Sequence, residues 1–276
     1  MSRPVEIADV QRGQIALRSG VLIYAGVLVV LPLTALVQHG LADGIVGLWQ
    51  AVAAPVAARA ILLTLWTAAL MAVVNALMGT LTAWALVRYE FPGRGLLSAL
   101  VDLPFAIPTL VTGVMLVILL GPQSPLGGWL AGHGVHVIFA PAAIVLALLF
   151  ITMPFVVRAV EPVLLEQDPA EEEAARTLGA GTWTLFWRVL LPPILPAILS
   201  GTIRSFARAL GELGSVIVVS GNIPYRTLTA PIHIFGEIES GQPGSAAAVS
   251  VVLLAFALIL AFTARGIERA AGVRSD

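Results

Sequence analysis

Six long apolar stretches alternate with short polar segments along this chain. They cover about Ser19–Val37, Ala60–Val87, Leu97–Leu120, Val137–Val157, Ile194–Ser220 and Ser245–Ala264, and each is near the roughly 20 residues that a bilayer-spanning helix needs. The third and fourth share a run from Leu103 to Val157 with no Asp, Glu, Lys or Arg, too long for one crossing. The Gly- and Pro-rich segment Gly121-Pro122-Gln123-Ser124-Pro125-Leu126-Gly127-Gly128 is expected to turn the chain there. The second stretch exceeds what a crossing needs and is expected to tilt or project from the bilayer. The first continues from Ser19 to Ala42 and meets Asp43 rather than a small-residue cleavage site, so it reads as a retained anchor and not a signal peptide. The pattern predicts an all-α membrane protein, one transmembrane domain over residues 1–276.

The longest polar interruption, residues 158–193, has the pattern of two short helices joined at a glycine. Asp168 can cap the first, with Pro169 at the first helical position, where its missing N–H is harmless. Glu171 completes a capping-box spacing, Glu172 and Glu173 suit the positive end of the helix dipole, and Gly179 fits a left-handed terminator. A second helix is expected from Thr182 to a stop at Leu191-Pro192-Pro193, with Trp183, Phe186, Trp187 and Leu190 on one apolar face.

Composition narrows the chemistry. Of 276 residues 58% are hydrophobic and only 11% charged, against roughly a quarter charged in soluble domains. There is no cysteine, hence no disulfide framework or thiol nucleophile. The net charge of −1 points away from nucleic acid. All 15 basic residues are arginine, so the chain cannot build a lysine-dependent phosphate loop, and any ATP hydrolysis belongs to another subunit. Arg3, Arg12, Arg18, Arg88, Arg94, Arg158, Arg176, Arg188, Arg265, Arg269 and Arg274 fall on one side of the six-span pattern, and only Arg59 and Arg226 on the other. The positive-inside rule then makes both termini and residues 158–193 cytoplasmic.

Span five carries charges that a membrane segment normally excludes. Arg208 and Glu212 are spaced to pair on one helix face, with Arg204 a turn earlier. Gly201, Ser205, Ala209, Gly211 and Gly214 permit close helix approach. This segment reads as lining a pathway or a subunit interface, or as a structural ion pair that orients helices. Asp102 precedes Leu103-Pro104 and Pro108, so either an interrupted helix or a membrane-edge aspartate before a kink fits. His133 and His136 have no third ligand nearby for a metal, and no zinc-protease or nucleophile-elbow motif occurs.

Glu173-Ala174-Ala175, then Gly179, then Val189-Leu190-Leu191-Pro192 reproduces the spacing of the EAA signature, with Val189 where isoleucine is usual. The chain thereby resembles the permeases of ABC importers. Phe91-Pro92-Gly93-Arg94, Asp102–Pro108, Pro154–Arg158, Arg208–Gly214 and Gly221-Asn222-Ile223-Pro224 are similar to the sulfate/thiosulfate branch. Leu213 stands where that branch often has Phe. Ile232–Ser240 resembles the T-type subunit, whereas Pro125–Leu130 resembles the W-type. The resemblance implies a type I six-helix bundle in a bacterial cytoplasmic membrane, with coupling helices on which Glu173, Ala174, Ala175, Leu178, Gly179, Val189, Leu191 and Pro192 meet an ATPase. Arg204, Arg208, Glu212 and Asp102 are the candidate pathway or subunit-interface residues. The resemblance also implies a second permease subunit, two cytoplasmic ATPase subunits, an extracytoplasmic sulfate-binding protein and no cofactor. Molybdate or tungstate permeases are close alternatives. An ion-coupled secondary transporter would have no use for the glycine-jointed helices.

Overall fold

A computed structural model describes residues 7–270; Arg3, Arg274 and both chain ends lie outside them. Every regular element among the described residues is helical. In chain order these are α1 (Ile7–Ala25), α2 (Leu31–Gly40), α3 (Gly44–Ala53), α4 (Pro55–Arg88), α5 (Arg94–Ala106), α6 (Thr109–Leu120), α7 (Pro125–Gly132), α8 (Pro141–Glu166), α9 (Pro169–Thr177), α10 (Thr182–Leu185), α11 (Leu191–Leu210), α12 (Gly214–Ser220), α13 (Ala230–Glu239) and α14 (Pro243–Ala270). Single π turns, Gly26–Val30 and Phe186–Leu190, join α1 to α2 and α10 to α11. Five continuous helices among the described residues are long and apolar enough to cross a bilayer, and α5 and α6 together are apolar enough for a sixth but are bent by 114°, as in a broken span or a re-entrant loop.

Proline chemistry explains where the expected spans fail. Residues 97–120 are not one straight helix: Ile107, held extended ahead of Pro108 (φ −87°, ψ 126°), ends α5, and α6 starts afresh at Thr109. Conversely, Leu191-Pro192-Pro193 does not stop a helix. The π turn before it lets the Leu191 N–H reach Phe186 O, five residues back. This widened turn relieves the clash between a proline ring and the preceding turn. Gly26–Val30 stands in the same relation to Pro32. The expected helix from Thr182 therefore runs on through α11 to Leu210 as one span.

That span does not continue to Ser220 as expected. It breaks at residues 211–213, and α12 resumes at Gly214. The fourth span starts at Pro141, not Val137, and runs through Arg158 to Glu166. Residues 158–166 of the expected loop are therefore helical, continuing α8. The Gly121–Gly128 turn closes by residue 124, where the Ser124 hydroxyl accepts the Gly127 N–H at 2.8 Å and caps α7. The helices α3, α7 and α13 have no counterpart in the apolar pattern.

The core is built by α4, α8 and α11. Val156 of α8 is gripped from two sides. A Cβ on Gly79 of α4 would lie 2.8 Å from the Val156 Cβ, and one on Gly201 of α11 would lie 2.9 Å from its Cα. The small residues thus buy backbone proximity and dispersion contact, the main source of helix association where lipid is as apolar as leucine. Asn75 of α4 donates to the Thr152 hydroxyl of α8 at 2.8 Å, and Ser205 of α11 donates to Thr152 O at 3.2 Å, so one residue joins all three helices. The first span is peripheral. Its most apolar stretch is unburied, and Gly40 packs closely on Ala247 and Val251 of α14.

Candidate functional site

The α9 hairpin forms as its residues dictate. Asp168 Oδ1 accepts the Ala170 N–H at 2.9 Å, with Pro169 at the first position. At the other end Gly179 has φ +85°, its N–H donates to Arg176 O at 2.9 Å, and the Ala180 N–H donates to Ala175 O at 3.0 Å. That double bond is a Schellman motif, which Gly satisfies without a Cβ penalty. Glu173, Ala174 and Gly179 face outward, and Leu178 is 88% exposed.

The signature residues divide between two situations. Glu173 to Gly179 are displayed on the hairpin, whereas Leu190 is buried and Val189 and Leu191 are half-buried beneath it. The expected apolar face does not hold as a unit. Leu185 and Leu190 are buried, Phe186 is half-buried, and Trp183 and Trp187 are exposed. Trp183 precedes the π turn and Leu190 ends it, so a shared helical spacing does not by itself bury a residue; what packs over each position decides.

Arg88, at the end of α4, holds the hairpin from below. It pairs with Glu172 and donates to Gln167 Oε1 at 2.7 Å. Gln167 in turn donates to Leu190 O at 3.0 Å, in the π turn. The guanidinium lies 5.3 Å from the Trp84 ring centroid, and Trp84 meets Phe186 edge-on at 6.1 Å. Sequence reading placed Glu172 as a dipole partner and Arg88 only as an inward charge. The sole available signal was an arginine at the end of an overlong apolar span.

Two further charged groups lie within the spans. Arg158 forks onto Asp102, Nε to Oδ1 at 2.8 Å and Nη2 to Oδ2 at 2.6 Å. It also contacts Glu161 and donates to the Ser98 carbonyl and hydroxyl at 3.0 Å each. Asp102 is therefore joined to α8, not to the charges of span five. Arg208 pairs with Glu212 at 2.8 Å, but not along one helix face, because Glu212 lies in the break beyond α11. Glu212 is only 3% exposed, and its Oε1 accepts both the N–H (3.0 Å) and the hydroxyl (3.1 Å) of Ser215. Arg204 is exposed a turn earlier.

The breaks of the two interrupted spans meet. A Cβ on Gly214 would collide with the Thr109 side chain, and one on Gly113 would lie 2.7 Å from Ser215 O. Gly211 has no close neighbour and an ordinary negative φ, so the expected close helix approach is not made there. At the end of the bundle opposite the hairpin, Gly221, Asn222 and Tyr225 take positive φ in a tight loop. The His133 Nδ1 lies 2.8 Å from Trp129 O, and among the described residues no three His, Asp or Glu side chains gather as a metal site would need.

Residues 75–272 match the family model described as "Binding-protein-dependent transport system inner membrane component". This chain belongs to that family. As such a component it resembles, at 40% identity over 253 residues, the sulfate transport system permease protein CysT of Escherichia coli (strain K12), covering 92% of this chain and 91% of that protein. The protein of the same name from Synechocystis sp. is 41% identical over 239 residues, 87% of this chain and 84% of the other. The T-type likeness of Ile232–Ser240 agrees with these names. Its fold is similar to a chain of a bacterial alginate ABC transporter solved with a pentasaccharide-bound periplasmic protein. There the TM-score is 0.75 at 19% identity, covering 96% of this chain and 98% of that one. The family membership makes this chain a membrane permease subunit.

Proposed function

We propose that this chain is the T-type permease subunit of an ATP-driven sulfate/thiosulfate importer in a bacterial cytoplasmic membrane, with both termini and the α9 hairpin cytoplasmic. The observation that carries the coupling role is the hairpin itself: a capped helix displaying Glu173, Ala174 and Leu178 at one end of an otherwise apolar bundle. Sulfate as the substrate rests on the named relatives, with molybdate and tungstate as the competing oxyanions. ATP is hydrolysed by two separate cytoplasmic subunits that dock on α9 of this chain and of a second permease. An extracytoplasmic binding protein delivers the anion. Closure of the ATPases displaces α9, and the bundle switches between inward- and outward-open forms. Glu173, Ala174, Ala175, Leu178 and Gly179 form the docking face, supported by Val189, Leu191 and Pro192. Arg204, Arg208 and Glu212 line the pathway or the permease interface, and Asp102 braces α5 against α8.

Vesicles holding the assembled complex, with ATP inside, test this reading. Labelled sulfate should accumulate only when the binding protein is outside, and excess molybdate should not compete. A cysteine replacing Gly128 in this cysteine-free chain should react with an impermeant maleimide from outside. Preferential molybdate uptake, or labelling of Gly128→Cys only from within, overturns it.

The joint makes a second prediction. Nothing lies within 4 Å of a Cβ on Gly179, so substitution acts through φ +85° alone. Alanine should cost about 1 kcal/mol there and a β-branched residue more. Gly179→Val should give an inserted, stable subunit that binds the ATPase weakly or fails to couple hydrolysis to uptake. Full transport by that variant rules out the docking role.

A further inference from the structure

The α9 hairpin is not a freely hinged appendage. It is fixed to two membrane helices through a single arginine. Arg88 reaches Glu172 on α9 and Gln167 just before it, Gln167 reaches the carbonyl of Leu190, and the guanidinium lies over the Trp84 ring, which meets Phe186 edge-on. The Arg88 and Glu172 side chains are 22% and 17% exposed, so water screens the pair only partly. A planar guanidinium with several donors can bond two acceptors and stack at once, which a lysine cannot do. The network therefore crosses from α4 to the start of α9 and on to the π turn that leads into α11. That π turn is itself a local irregularity in the span, of the kind that absorbs or passes on displacement.

We infer that Arg88 is a positioning residue that makes the end of α4, the α9 hairpin and the π turn move as one body, so that force on α9 reaches the membrane helices. This rests on the coupling role proposed above for α9. The contact persists through the transport cycle. Without Arg88, α9 still presents its docking face, but its displacement is spent in local bending at Gln167 and at the π turn.

Cysteines replacing Arg88 and Glu172 test this in the assembled complex. They can be joined by a reducible bis-methanethiosulfonate linker, with a cysteine-free ATPase subunit. Uptake by the parent complex is measured first; its absence would count against the transport reading, not against the latch. With R88C/E172C unlinked, the ATPase subunit should stay attached and hydrolyse ATP, while sulfate carried per ATP falls about fivefold or more. Linking should restore that ratio, and reductant should abolish the restoration. A merely structural role would lower assembly and leave the ratio unchanged. Glu172→Gln, which keeps the shape and removes the charge, provides a second variant in case the double one assembles poorly, and should lower the same ratio about twofold or more. Inactivity of the linked complex would show that the contact must open. A parental ratio in the unlinked complex, or in Glu172→Gln, would show that it transmits nothing. Either result overturns the proposal.

Discussion

Arg208→Ala is expected to reduce sulfate uptake at least tenfold, mainly by destabilising the middle of the bundle. Glu212 is 3% exposed, and apart from Arg208 its carboxylate has the Ser215 N–H and hydroxyl for support. Removing one partner of a buried ion pair typically costs about 3–5 kcal/mol, because the other charge stays behind uncompensated. The low end of that range applies, since Arg208 is 37% exposed and its pairing is partly screened. The two single substitutions are not equivalent. After Glu212→Ala the arginine can still reach water, but Ser215 loses the acceptor that orders the start of α12. Glu212→Gln keeps an acceptor there. The double variant R208A/E212Q should therefore recover assembly that R208A loses. If uptake returns with assembly, the pair is structural; if assembly returns and uptake does not, Arg208 also serves the anion. Thermal unfolding of the solubilised complex, read beside uptake, separates the two. Parental uptake by both single variants would show that neither charge matters.

The second large effect is expected at Gly113, where α6 packs against α12. A Cβ there would lie 2.7 Å from Ser215 O, 2.8 Å from Val218 Cβ and 3.1 Å from Ser215 Cα. Two of those atoms are backbone, so no rotamer change can relieve the contact. Gly113→Val must push the helices apart, at about 1–3 kcal/mol for an overpacked core. Because Ser215 is held by Glu212, the displacement also strains the ion pair. Its effect should be non-additive with E212Q, as expected for residues in contact. Uptake should fall about tenfold, while Gly132→Ala, with nothing within 4 Å, should be silent. An unaltered melting temperature for Gly113→Val would show that the two broken spans do not meet as described.

Local chemistry was sufficient wherever a segment's own residues decide its conformation. Asp168-Pro169 capping, the left-handed Gly179 and the apolar helix over Leu17–Gly40 needed only short-range rules, and their structure follows them. The spacing of Glu173-Ala174-Ala175, Gly179 and Val189–Pro192 added the family, because several residues must coincide over a long interval. Apolar content likewise located the spans, since bilayer thickness sets their length. The same rules misjudged the prolines. Pro108 ends a helix, whereas Pro192 and Pro193 sit inside one, and the difference lies in a π turn that no residue spacing announces. Charges were misjudged for a related reason. Arg158 looked like the end of a span because its partners Asp102 and Ser98 lie some 56 to 60 residues away in sequence. Arg88 looked like a mere topological marker because Glu172 and Gln167 reach it only after α4 and the hairpin have packed. Sequence by itself determined which segments are apolar and long enough to span a bilayer and what caps the hairpin. Tertiary structure alone decided which charges are neutralised and where the spans break, because both depend on groups that only folding brings within hydrogen-bond distance.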